Sequence, residues 1–280
     1  MSPIAVVTDS TADLGDLAVA NNIAVVPLTI SFGNEVYRDG IDLSREAFYR
    51  KLETSHHPPA TAQPAPSAFV ATYRQLFGAG ASGIISLHLS SKLSGTYGSA
   101  CAAAREVGEE KIVVLDTHSV TLALGLIVLA AAVDAKAGLP LADIAERAQR
   151  NAQRTGLFAT IPSLTYLARG GRIGPLQSIL GNVLKIVPII TLRDGEVAEY
   201  SKVRTFARAV DQIVEIVGDR IQSRGTARVA VLHSVAPELA DSVAARIERS
   251  VAPALLFKAC VGPTVGTHAG PGAVGVAFAP

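Results

Sequence analysis

The stretch Ser90-Ser91-Lys92-Leu93-Ser94-Gly95-Thr96-Tyr97 is dense in hydroxyls, holds one cation, Lys92, and holds no acid. It follows the apolar run Gly83 to Leu89 and leads into an Ala-rich segment, Gly98 to Ala104. That is a strand-to-helix junction. In an open parallel sheet, ligands sit outside the C-terminal ends of the strands. The first N–H groups of a helix have no partner within it. Ser94 falls at the N-cap or next to it. A hydroxyl beside free N–H groups makes an anion site without a cationic side chain. The same residues also read as an ordinary serine cap.

Two other stretches offer similar groups. Thr61-Ala62-Gln63-Pro64-Ala65-Pro66 is expected in a loop leading into a helix. Thr264-Val265-Gly266-Thr267-His268-Ala269-Gly270-Pro271-Gly272 is expected in the last loop. Each places a hydroxyl or an imidazole among residues too small to crowd a ligand.

Other chemistries fit less well. Gly78 to Gly83 and Gly270 to Gly275 both match G-x-G-x-x-G. The dinucleotide loop needs a strand before and a helix after. The first match has the reverse order, and the second sits at the end of the sequence. G-x-S-x-G and G-x-x-x-x-G-K-[ST] do not occur. His56-His57 has no Cys or carboxylate spacing to suggest a metal and reads as a solvated loop. Asp13 is expected to work at a helix N-terminus, and Asp39-Gly40 to form a turn.

The elements that must position these groups alternate. Strands are expected at Ile4 to Thr8, Ile23 to Ile30, Ile84 to Leu89 and Lys111 to Leu115. They are continuous apolar runs, as in strands covered on both faces. Helices are expected at Ala12 to Ala20, Ser44 to Leu52, Pro66 to Phe77, Gly95 to Val107, Val120 to Ala137 and Leu141 to Arg154. His56-His57-Pro58-Pro59 reads as loop. This is the β-α pattern of a parallel sheet.

After Thr155 the texture changes. Gly156 to Thr160 is strand-like, and Gly170 to Pro175 a loop. Ile186 to Leu192, Asp194-Gly195 and Glu196 to Tyr200 make a hairpin. Helix Thr205 to Gly218, strand Arg228 to His233, helix Pro237 to Ser250 and strands Leu255 to Val261 and Ala273 to Phe278 complete the chain. The fold class is α/β: an N-terminal parallel-sheet α/β domain over 1–155, then a C-terminal α+β domain with a mixed sheet over 156–280. The ligand site is expected between them.

Of the 280 residues, 49% are hydrophobic and 18% charged, so a packed core is expected rather than disorder. Mean hydropathy is +0.35, which leaves much apolar surface to hide. A net charge of +1 gives no bulk field for nucleic acid or an anionic membrane. Val120 to Val133 falls short of the ~20 residues needed to cross a bilayer and reads as a buried helix. No secretory signal opens the sequence. Cys101 and Cys260 read as reduced thiols of a cytoplasmic protein.

The sequence resembles the DegV family, the fatty-acid-binding subunits of bacterial fatty acid kinase, over nearly its whole length, about 3–279. The resemblance rests on Thr8-Asp9-Ser10-Thr11-Ala12-Asp13-Leu14, Val26-Pro27-Leu28, Tyr37-Arg38-Asp39-Gly40 and Thr61-Ala62-Gln63-Pro64. It continues in Leu93-Ser94-Gly95-Thr96-Tyr97, Leu167-Ala168-Arg169-Gly170-Gly171-Arg172-Ile173 and His268-Ala269-Gly270-Pro271-Gly272-Ala273. One departure stands out: Ala62 and Ala65 replace two serines usual in the family.

The resemblance implies a non-catalytic lipid carrier. A long-chain fatty acid such as hexadecanoate would be the bound ligand, with no cofactor and no metal. Its carboxylate would rest against Thr61 and Ser94, with Gly95, Thr96 and His268 close by. Its tail would lie in an apolar tunnel, for which Ile30, Phe32, Leu122, Leu126, Ile161, Leu164, Ile189 and Phe278 serve as wall candidates and equally as plain core. A separate ATP-dependent kinase subunit would make the acyl phosphate, with a downstream acyltransferase possible. Arg172 and Arg204 match positions of partner or phosphate contact. Neither nucleic acid nor stable membrane insertion is implied. The rival readings are an acyl hydrolase with Ser94 as nucleophile and His268 as base, and a small-molecule sensor.

Overall fold

The computed structural model describes residues 3–179, 186–222 and 228–280. The chain opens with β1 (Ile4–Asp9), α1 (Asp16–Ala20) and β2 (Ile23–Val26). Then come β3 (Thr29–Phe32), β4 (Glu35–Arg38), α2 (Arg45–Thr54) and β5 (Pro59–Ala62). Next are α3 (Pro66–Gly78), β6 (Gly83–His88), α4 (Thr96–Val107), β7 (Ile112–Asp116), α5 (Thr121–Lys136) and α6 (Leu141–Arg154). The rest comprises β8 (Gly156–Thr160), α7 (Thr165–Arg169), β9 (Val187–Arg193), β10 (Glu196–Val203), α8 (Phe206–Gln222), β11 (Arg228–His233), α9 (Pro237–Val251), β12 (Leu255–Cys260), α10 (Pro263–Ala269) and β13 (Val274–Ala279).

These strands make three sheets. One is parallel throughout, in the order β2-β1-β6-β7. The largest is mixed, in the order β10-β9-β8-β13-β11-β12, with only β11 and β12 parallel. The third is a small antiparallel sheet, β4-β3-β5. The parallel strands are apolar because both faces are covered: α3 and α4 pack on one side, α5 and α6 on the other. The outer face of the mixed sheet is covered by α8 and α9 through Ile213, Val217, Val243 and Ile247.

Helix α5 lies between the two large sheets. Leu124, Ile127 and Val128 join the core of the parallel sheet. Leu122, Ala123 and Leu126 pack against Ala230, Leu232 and Ala277 of the mixed sheet. Every residue from Thr121 to Ala132 is buried. That is why the sequence of α5 has no polar stripe, as a surface helix would. Among the described residues, no helix is long and apolar enough to cross a membrane.

The structure departs from the sequence reading in several places, including an unexpected strand β4 and an unexpected helix α7. The expected helix Ala12 to Ala20 starts only at Asp16, because Asp13 and Gly15 take left-handed φ values of 55° and 52° after a 3-10 turn at Ser10–Ala12. The expected strand Ile23 to Ile30 is broken at Pro27, and its second half leaves for the small sheet as β3. Pro59 to Ala62, read as loop, is a strand. It lies at a sheet edge, where a proline costs no ladder hydrogen bond. Pro263 to Ala269, also read as loop, is a helix with proline in its first turn. The hairpin at Asp194-Gly195 has positive φ at both turn residues, 50° and 82°, as a tight two-residue turn requires. Cys101 and Cys260 are half-buried free thiols.

Candidate functional site

All four strands of the parallel sheet end at one cavity of about 300 Å³. Thr11 follows β1, Leu28 follows β2, Leu89, Leu93 and Ser94 follow β6, and Val120 and Thr121 follow β7; all of them line it. This is the C-terminal edge where open α/β sheets place ligands. The mixed sheet supplies the facing wall through Leu157, Ala159, Ile190, Leu192, Val197 and Leu232. The volume lies at the lower end of the ~300–1,000 Å³ typical of small-molecule sites.

Polar groups gather at one part of this wall. Thr61 stands on β5, and His268 on the last turn of α10. Thr61 Oγ1 and His268 Nε2 are 3.0 Å apart. Burial, reinforced by the positive charge of Arg172, pushes the His268 pKa down to about 4. The ring is therefore neutral at neutral pH and carries one N–H. Its Nδ1 is buried and has no hydrogen-bond partner, nor has Thr264 Oγ1, one turn earlier on the same helix. Gly170 makes room for the ring. A Cβ at 170 would lie 2.0 Å from His268 Nδ1, although the Gly170 φ of −76° suits any residue.

Ser94 lines the cavity just before α4. The N-cap itself is Gly95. Ser94 Oγ is 2.9 Å from Thr96 Oγ1 and accepts from Thr96 N at 3.3 Å. Thr96 is fully buried, and neither it nor Gly95 lines the cavity. Gln63 covers Gly95 so closely that a Cβ there would sit 2.0 Å from Oε1, and its amide donates to Ser99 Oγ at 3.2 Å. The Thr61–Gln63 segment is thus clamped onto the start of α4, which brings Thr61 and Ser94 to one cavity. A hydrolase would need Ser94, His268 and an acid in line. Here Ser94 bonds Thr96, His268 bonds Thr61, and no acid meets Nδ1.

Two buried carboxylates fix α10, and sequence reasoning assigned neither of them this task. Asp13 Oδ1 accepts from Gly262 N at 2.8 Å, and Asp39 Oδ2 from Thr264 N at 3.2 Å. Asp13 also accepts from Thr121 Oγ1 at 2.5 Å, at the start of α5. It therefore serves other helices than the one expected from its local sequence. Asp39 does sit at a turn, with Ile41 N donating to Arg38 O, but its carboxylate points to a partner 225 residues away. Burial pushes the Asp13 pKa up to about 7, against the lowering effect of Arg45. Burial raises Asp39 as well.

Asp9 is a third hidden anchor. Its carboxylate accepts from Thr11 N, Thr11 Oγ1 and Leu89 N at 3.0, 2.5 and 3.1 Å, and lies 3.0 Å from His88 Nδ1. Beyond His88, Nε2 meets Ser86 Oγ at 2.7 Å, which meets Tyr73 OH at 2.8 Å. All of these side chains are buried, so the Ser86–His88–Asp9 chain has no substrate access. Its effect is to tie the ends of β1 and β6, where Thr11 and Leu89 face the cavity.

Arg172 lines the cavity and is held by Leu93 O at 3.0 Å and Gly170 O at 2.7 Å. Arg204 is exposed between β10 and α8, away from the cavity lining. Of the wall candidates, Ile161 lines the cavity. Ile30, Phe32, Leu122, Leu126, Ile189 and Phe278 are buried in the surrounding cores instead, and Leu164 packs beside Leu167. Apolar type alone does not say which side of a strand faces a void.

Comparison with known proteins accounts for the whole chain. The DegV family model matches residues 3–280. A DegV domain-containing protein of Streptomyces coelicolor is 38% identical over 98% of this chain and 97% of its own length. Protein DegV of Bacillus subtilis is 31% identical over 98% of both. Among solved structures, a DegV family protein of Thermus thermophilus described as binding fatty acid superposes with a TM-score of 0.92 at 30% identity, covering 99% of both chains. The Bacillus subtilis DegV structure, described as a fatty acid binding protein, gives 0.92 at 31% identity, covering 100% of this chain and 99% of that one. The chain belongs to the DegV family.

Proposed function

We propose that this DegV family member binds a long-chain fatty acid in the cavity between its two large sheets. The observation that carries the reading is the cavity's division. Thr61 on β5 meets neutral His268 on α10, with Thr264 one turn earlier on that helix and Ser94 in the same lining. The mixed-sheet wall of Leu157, Ala159, Ile190 and Leu192 is apolar apart from Thr191, whose hydroxyl donates to Leu157 O. The two solved relatives described as fatty acid binders support it.

The energetics assign different tasks to the two parts. Burying about 15 methylenes at ~0.8 kcal/mol each gives a gross ~12 kcal/mol. Ordering the tail and losing free motion offset much of that. The head group contributes less net affinity. It fixes the register and keeps a carboxylate from being buried without donors. Thr61 and Ser94 hydroxyls and the single imidazole N–H are neutral donors. They hold a carboxylate while leaving its oxygen nucleophilic.

That property suits a carrier that presents the carboxylate to a separate ATP-dependent kinase subunit. A carboxylate oxygen would attack the γ-phosphorus, ADP would leave, and the acyl phosphate would remain with the carrier for a downstream acyltransferase. Arg172, at the cavity wall and tethered beside Ser94 by Leu93 O, is assigned to the new phosphate. Arg204 is assigned to the partner surface. This chemistry puts the chain in the cytoplasm, with ATP. The test is extraction of the natively purified chain, followed by mass spectrometry of released lipid. Stoichiometric C14–C18 fatty acid is expected; an empty cavity or a polar metabolite overturns the reading.

A further inference from the structure

A second concavity, of about 410 Å³, lies at the other end of α5. Thr121 at the first end lines the fatty acid cavity, and Ala130, Val133 and Asp134 line this one. At 1.5 Å rise per residue, Thr121 and Val133 are ~18 Å apart. The facing wall comes from α6 and the first residue of β11: Arg147, Arg150, Asn151, Arg154 and Arg228. The three α6 arginines recur at spacings of three and four, which puts them on one face of the helix.

Four arginines thus meet one acid, Asp134, in the lining, while the whole chain carries a net +1. Two of the ion pairs at the groove are open to exchange. Arg147 bridges to Asp134 at 3.2 Å and Arg150 pairs with Glu146. Their side chains are 53% and 55% exposed, so these are the weak, exchangeable kind of ion pair. Arg228 is half-buried and gives both its Nε and Nη2 to the backbone oxygen of Pro280, at 2.9 and 2.7 Å. Burial lowers its pKa, and the nearby Asp134 charge partly offsets that. Val133, 60% exposed, offers an apolar edge beside the arginines.

We propose that this groove is a second binding site, separate from the fatty acid cavity, for a phosphate-bearing ligand. Guanidinium forks match phosphate oxygens two at a time. Asn151 adds a neutral donor, and Val133 accepts an apolar flank. The phosphate could belong to a lipid headgroup or to a soluble metabolite, and the test separates them.

The full chain is sedimented at low ionic strength with vesicles of phosphatidylglycerol and phosphatidylcholine in equal parts, and with phosphatidylcholine alone. In parallel it is titrated calorimetrically with inorganic pyrophosphate. Binding to at least one anionic probe is expected, with loss of about tenfold or more in the Arg147→Gln/Arg150→Gln variant and weakening by added salt. Retention of fatty acid should be unchanged. Binding to anionic vesicles alone identifies a lipid headgroup; binding of pyrophosphate identifies a soluble ligand. Asn151→Asp, which adds a negative charge to the groove, should weaken the same probe, and decides the matter if the double variant does not fold. Binding of neither probe, or equal binding by wild type and variants, overturns the proposal.

Discussion

Thr61 Oγ1 and His268 Nε2 are within hydrogen-bond distance, 3.0 Å, although 207 residues separate them in sequence. Helix α10, which carries His268, is held by Asp13 and Asp39 from the first half of the chain. Thr61→Ala should weaken fatty acid binding by about 1 kcal/mol, roughly fivefold. Thr61→Ser, which keeps the hydroxyl, should recover most of it. Competition with a fluorescent fatty acid measures both; equal affinities for all three proteins would remove Thr61 from the head-group site.

Gly170→Ala is a cleaner probe of His268. The backbone there tolerates alanine, but the new methyl would lie 2.0 Å from Nδ1. The ring must therefore move. Loss of about 1–3 kcal/mol in stability is expected from this overpacking, along with weaker fatty acid binding. A variant with wild-type melting temperature and affinity would show that the ring has a second resting place.

Protonation supplies a third check. The His268 pKa is depressed, so the folded state holds fewer protons than the unfolded state between about 4 and the unfolded value near 6.5. Its contribution to stability is present above that window and is lost as pH falls through it. The His268 ring proton in the NMR spectrum should titrate below pH 5, and His268→Gln should flatten the acid limb of the melting curve. A midpoint near 6.5 would contradict the buried, neutral ring.

Asp13 has the opposite sign. Its folded pKa is raised to about 7 from the usual 3.8, so the folded state holds the extra proton. Stability should decline as pH rises from about 4 to 7, at up to about 1.4 kcal/mol per unit. Asp13→Asn, which keeps an acceptor for Gly262 N, should remove that decline in melts across the range. An unchanged slope would mean another group carries it.

The tail region is tested by filling it. Ala159 is buried on β8 and lines the cavity. Ala159→Leu should reduce binding of the longest acyl chains first and leave short chains nearly unaffected. Equal loss at every length would place the tail elsewhere.

The sequence was most informative where a local rule set the outcome. Leu141–Arg154 and Arg228–His233 have the expected bounds because period and breakers agree there. The Asp-Gly hairpin followed from turn chemistry. Pro59 and the Gly266-Thr267-His268 run misled because prolines at an edge and small residues in a short helix look like loop. Thr61, Ser94 and His268 were singled out by type and by family resemblance, and the fold sets all three at one cavity. Asp9, Asp13 and Asp39 were not legible as anchors. Their partners lie 80, 249 and 225 residues away, and nothing local marks a carboxylate that will be buried at such range.

The twelve buried residues running through α5 have a consequence for biosynthesis. During translation this helix emerges before the mixed sheet that will shield one side of it. A fragment stopping at Arg154 would display Leu122, Ala123 and Leu126 to solvent. Such a truncated product should clump or recruit chaperones rather than persist as an autonomous piece, which makes the trailing half of the polypeptide a folding partner for the leading one.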